Sequence, residues 1–189
     1  MEQENDETIK TIFLPDPTIK KKVNNKTITK PKEVRMRQVT KSSSWVNRIK
    51  EEDLDHNTQL SILENPMDKS DKKQMVVYGQ MKQKLNSYKH QDILKNKYNK
   101  EEIIDLSSLK DLILESQLKC FYCKEEVNLL YEAVRDPKQW TLERIDNKIG
   151  HNKGNVEISC LSCNIKRKTM YYEKYRFTKQ MRFEKEESG

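Results

Sequence analysis

The chain has 189 residues, 34% hydrophobic and 35% charged, and carries a formal net charge of +7. That apolar content supplies one modest core and not a core running the full length, and no stretch approaches the length of a membrane span. The basic surplus is localised: residues 20–41 hold nine Lys/Arg against Glu33 alone, and residues 164–183 hold seven against Glu173 alone. Two such runs are commonly solvated faces, yet they also predict a polyanionic partner.

Residues 1–41 lack sustained periodicity, and Pro15, Pro17 and Pro31 interrupt a Lys- and Thr-rich stretch that buries too little surface to order itself. They are expected to form a disordered basic arm. Ser42-Ser43-Ser44 is placed to cap a short helix carrying Trp45 and Ile49 on one face, and Asn65-Pro66 ends that region. From Ser70, Met75, Tyr78, Met81, Leu85 and Tyr88 recur at intervals of three and four, which predicts a longer helix with a packing stripe. Ser107-Ser108 precedes a further helix with Leu109, Leu112 and Ile113 on one side. That helix feeds the chain into the first of two CxxC pairs. The helical region is thus expected over 42–106 and a separate domain over 107–183.

All four cysteines lie in those pairs, Cys120/Cys123 and Cys160/Cys163. Two CxxC pairs with none left over suit a tetrahedral zinc site, because the two-residue spacer lets both thiolates of a pair reach one ion. Four thiolates leave no open position, so such a zinc is structural. Between the pairs, Gln139–Asp146 alternates as a strand, Asn147–Lys153 reads as a polar loop, and Asn155–Ser159 reads as a second strand. From Cys160 onward a helix is expected. The fold class is therefore α+β. A CxxC redox protein is a weaker reading, since the βαβ context of such chemistry is missing.

Taken together and in order, Cys120-x2-Cys123, Leu142-Glu-Arg-Ile-Asp-Asn147, Gly150-His-Asn-Lys-Gly-Asn-Val156 and Cys160-x2-Cys163-Asn164 resemble HNH endonucleases. More narrowly, they resemble the zinc-bearing kind common in large DNA viruses and phages. The resemblance spans roughly residues 109–182 and implies a treble-clef ββα-metal domain. It implies further that Asn155 braces the loop between the strands. Glu143 and Asn164 would ligate a catalytic divalent ion, Mg2+ or another, with the Asn164 amide replacing an imidazole. Arg144 falls where most members carry a His that acts as general base. A guanidinium stays protonated, so Arg144 cannot take a proton from water; it is suited to clamp a phosphate oxygen. For the base, His151, Asp146 and a metal-bound hydroxide all stay open.

The function implied is metal-dependent hydrolysis of DNA, expected to be double-stranded, gripped in part by Lys166, Arg167 and Lys168. The alternative is a catalytically inactive zinc module that only binds nucleic acid. With CxxC pairs and an acidic N-terminus unlike a signal peptide, an intracellular location is expected, in cytoplasm or nucleus of a host cell if the protein is viral.

Overall fold

The computed structural model describes residues 33–181. Positions 1–32 of the expected arm lie outside the described residues. The last stretch of that expected arm, from Val34 on, is packed instead. Met36 bridges to Ala133, the Arg37 N–H donates to the Glu132 carbonyl at 2.8 Å, and the Val134 N–H donates to the Arg35 carbonyl at 2.7 Å. The Arg37 guanidinium donates to the Tyr131 carbonyl and to Gln80 Oε1, and it stacks on the Tyr131 ring. Backbone pairing and one planar cation order this segment. Neither requires an apolar period in the sequence.

A 3-10 turn, Gln38–Lys41, leads to Ser42, whose Oγ accepts from the Trp45 N–H and starts α1, Ser43–Val46. Trp45 and Ile49 are both buried. Asp55 caps α2, His56–Glu64, which stops at Asn65. Asp71 caps α3, Lys72–Leu94, by accepting from the N–H groups of Lys73 and Gln74. Of the predicted stripe on α3, Tyr78 and Met81 are buried and Leu85 and Tyr88 half-buried, whereas Met75 is exposed. Gln74 takes the inward position beside it, because its amide meets the Ile62 and Pro66 carbonyls and the Asp68 N–H. Asp105 caps α4, Leu106–Ser116, which buries Leu109 and Ile113.

Two strands, β1 (Trp140–Arg144) and β2 (Val156–Cys160), form an antiparallel pair with Leu142 opposite Ile158 and Trp140 opposite Cys160. The helix expected from Cys160 is two helices, α5 (Leu161–Arg167) and α6 (Tyr172–Gln180). The break falls at Lys168, where φ is +54°. A single apolar cluster joins Trp45, Leu63 and Met81 to Leu109, Trp140, Ile158 and Tyr175. It runs straight across the expected division at 106/107, so residues 42–106 and the cysteine-bearing part share one core. The fold is α+β, and among the described residues no helix is long and apolar enough to cross a membrane.

Candidate functional site

The cysteines are brought together by backbone pairing. After α4, Gln117 and Leu118 take left-handed φ values near +50°, turning the chain back sharply. A short hairpin follows: the Cys120 N–H donates to the Glu125 carbonyl, the Val127 N–H to the Leu118 carbonyl, and Lys124 turns the corner at φ +62°. The Phe121 N–H donates to the Ile158 carbonyl, which ties this knuckle to β2 and so to Cys160 at the strand's end. Cys160 in turn caps α5, its Sγ accepting from the Cys163 N–H at 3.3 Å. All four Sγ atoms lie within 4.8 Å of one another. A tetrahedral ion with bonds of about 2.3 Å needs sulfurs about 3.8 Å apart. The set fits: it can hold a metal ion such as zinc, and all four positions would then be filled by protein.

A cleft of about 530 Å³ opens between α3, β1 and α5. Its lining carries three cations, Lys95, Arg144 and Lys168, a fourth basic side chain, Lys84, and one carboxylate, Glu143. Such an excess of positive charge in a low-dielectric wall draws anions. Asn164 and His151 line the same cleft. The Asn164 Nδ2 donates to Thr141 Oγ1 at 3.2 Å, which leaves its Oδ1 free as a hard oxygen donor.

Glu143 is buried, and one of its oxygens, Oε1, accepts from Arg167. Burial pushes the Glu143 carboxyl up from its ordinary range, while Arg167 pulls it back. Arg167 was expected on DNA through its place in the basic run, but it is only 3% exposed. Its guanidinium also donates to the Arg144, Ile145 and Met170 carbonyls at 2.7, 2.9 and 3.0 Å. Four of the five N–H donors of this planar fork are used inside the protein, so Arg167 is a structural clamp. Lys166 and Lys168 on either side are exposed.

Asp146 also departs from expectation. β1 ends at Arg144, and beyond it the Asn155 side chain grips the backbone: Oδ1 accepts from the Asp146 N–H, and Nδ2 donates to the Asp146 and Gly150 carbonyls. The exposed Asp146 carboxylate turns back to accept from the Lys148 N–H at 2.8 Å and lies outside the cleft lining. It is therefore not placed to serve as base or ligand there. Arg144 stays at the cleft, 3.8 Å from Asp92 and donating to the Ile149 carbonyl.

Asp92 itself, with Lys84 and Tyr88, is what sequence reasoning missed. The three recur every four residues along α3, one above the other. Tyr88 belonged to the predicted stripe, and continuing that spacing by one turn reaches the buried Asp92. Asp92 faces His151, with Nδ1 at 2.9 and 3.0 Å from its two oxygens. Tyr88 lies against the imidazole, ring centroids 4.5 Å apart. Lys84 donates to the Trp140 carbonyl, and burial lowers it to about 7, with Arg37 adding repulsion.

His151 is lowered to about 4, first by burial and then by Arg144 and Lys95, against an upward pull from Asp92. The unfolded chain then binds this proton first, so stability is full above about pH 6.5 and falls as pH drops toward 4. The contribution is of order 3 kcal/mol at most. Comparing thermal midpoints at pH 7.5 and 5.0, the fall should be smaller in His151→Gln than in the parent. An equal fall would show that His151 does not titrate in this window.

No protein-family model matches the chain, and no curated protein or solved structure matches it significantly.

Proposed function

We propose that the protein is a metal-dependent DNA endonuclease of the HNH kind, with a structural zinc on Cys120, Cys123, Cys160 and Cys163 in a treble-clef arrangement. One observation carries the reading: Glu143, Arg144 and Asn164, the residues singled out by resemblance, line a single basic cleft. Glu143 and Asn164 would hold the catalytic ion, Mg2+ or another, through a carboxylate and an amide oxygen. When bound, that ion supplies positive charge beside the scissile phosphate and the leaving oxygen.

Arg144 holds its guanidinium at the cleft and suits a non-bridging phosphate oxygen, where charge grows in the transition state. Lys95 and Lys168 in the lining and the exposed Lys166 suit the flanking phosphates of a DNA duplex, through charge that does not depend on sequence. Asn155 keeps the loop between the strands in one shape, which fixes where Arg144 ends.

The test is metal-dependent nicking of supercoiled plasmid. Asn164→Ala should abolish nicking while leaving plasmid binding and zinc content close to those of the parent. Nicking by Asn164→Ala at the parent rate would sink the reading. The second reading, a zinc module that binds nucleic acid without cutting it, is favoured by the Arg167–Glu143 pair, which competes with an ion for the carboxylate. Plasmid binding without nicking under any of Mg2+, Mn2+ or Ca2+ would select it.

A further inference from the structure

We propose that His151, held by Asp92 of α3, is the general base of this hydrolysis, in place of Arg144 on β1. The inference rests on the nuclease reading above. Three features hold the imidazole in one pose. Asp92 receives both the ring, through Nδ1, and the His151 backbone N–H at 2.7 Å. Tyr88 lies against the ring, and its hydroxyl is fixed by accepting from the Leu142 N–H at 3.0 Å. Gly150 lets the loop come this near: a Cβ there would sit 2.5 Å from the Lys97 carbonyl oxygen and 2.8 Å from Asp92 Oδ2. Any other residue would push the loop off α3.

A carboxylate only accepts, so the ring hydrogen sits on Nδ1 and the lone pair on Nε2. Nε2 makes no hydrogen bond among the described residues and belongs to a ring that lines the cleft. The charged groups around the ring are Asp92 on α3, Lys95 just past its C-terminal end and Arg144 on β1. Two cations, one anion and burial keep the imidazole neutral near pH 7, which is the form that accepts a proton.

In the step itself, a water oxygen uses a lone pair to form the new P–O bond, and one water proton passes to Nε2. The bond from phosphorus to the leaving sugar oxygen breaks, its electron pair staying on that oxygen, which gains a proton from solvent. The imidazolium then returns its proton to solvent. Asp92 touches none of the reacting atoms; it is a positioning residue.

The full chain is assayed on supercoiled plasmid with magnesium. His151→Ala should nick about 10²–10⁴-fold more slowly than the parent at unchanged plasmid binding, and added imidazole should restore part of the rate. His151→Gln, which keeps a polar contact to Asp92, should be equally slow but not rescued. Nitrogen-15 spectra at pH 7 should show the parent's Nδ1–H tautomer, and Asp92→Asn should mix the tautomers and slow nicking without altering binding. The proposal is overturned if the parent nicks and His151→Ala stays within about threefold of it, or if the parent imidazole carries its hydrogen on Nε2. A parent that nicks no DNA removes the nuclease reading and the base with it, a result distinct from either.

Discussion

Stripping the metal with a strong chelator, or replacing any one of Cys120, Cys123, Cys160 and Cys163 by Ser, should abolish the cooperative unfolding transition. The physical reason is the smallness of what remains. The sheet has two strands of five residues, and a two-stranded pair is marginal in water by itself. The knuckle after α4 buries Leu118, Tyr122 and Val127, yet one backbone bond, from the Phe121 N–H to the Ile158 carbonyl, ties it to β2. A metal bridging Cys120 and Cys123 to Cys160 and Cys163 would fasten the knuckle, the end of β2 and the start of α5 at one point. Structural zinc in small peptide modules is worth about 10–16 kcal/mol near neutral pH, comparable to or above the whole stability of a domain this size. Because Cys120, Cys160 and Cys163 belong to the same buried cluster as Trp45, Leu63 and Met81, the loss should spread to α2 and α3. Elemental analysis should find one zinc per chain, and circular dichroism should lose its sharp melt once the ion is removed. A melting midpoint unmoved by chelator would show that the sulfurs are structural thiols and nothing more.

Arg167→Ala should be the most damaging substitution away from the cysteines, costing about 3–5 kcal/mol in denaturant unfolding. Truncation strands the Glu143 carboxylate in a buried site and frees the Arg144, Ile145 and Met170 carbonyls that the guanidinium had gathered. Arg167→Lys should recover only part, because an ammonium is a compact charge and cannot fork across several acceptors. In the double variant with Glu143→Gln, much of the loss should return, since no unpaired buried charge is left. Lys166→Ala and Lys168→Ala, one residue to either side, should stay within about 0.5 kcal/mol of the parent. Equal effects at all three positions would mean that Arg167 is as solvated as its neighbours.

How much of this was legible in the sequence depends on the kind of signal. The two CxxC pairs, the loop between the strands and the order of strand, loop, strand and helix are local patterns, and each appears where the residues put it. Arg167 was not legible as a buried clamp, because a run of Lys-Arg-Lys has the composition of a wet surface. Its position, though, does carry the information: it lies four residues after Cys163 on the helix that Cys160 starts, and so shares the inward face of that cysteine. Asn164 and Lys168 stand one step round, and both reach the cleft. Glu143 gave no hint of its partner, since the pair is closed by tertiary packing across 24 residues. The same is true of Asp92 and His151, 59 residues apart.

The first strand has one further property. Its inner edge pairs with β2, and a two-stranded ribbon would ordinarily leave the other edge as a row of open amides and carbonyls, a template for a second chain to extend. Here α3 stops the row with side chains: Lys84 takes the Trp140 carbonyl and the Tyr88 hydroxyl takes the Leu142 N–H. A long helix thus does the work of a missing third strand while offering nothing to which a fourth could add. Fragments beginning after Leu94 would carry that edge uncovered, beside the apolar surface that α3 had hidden. Such a minimal cysteine domain is a poor choice for expression, because sheet extension between copies, and not unfolding alone, would limit its solubility.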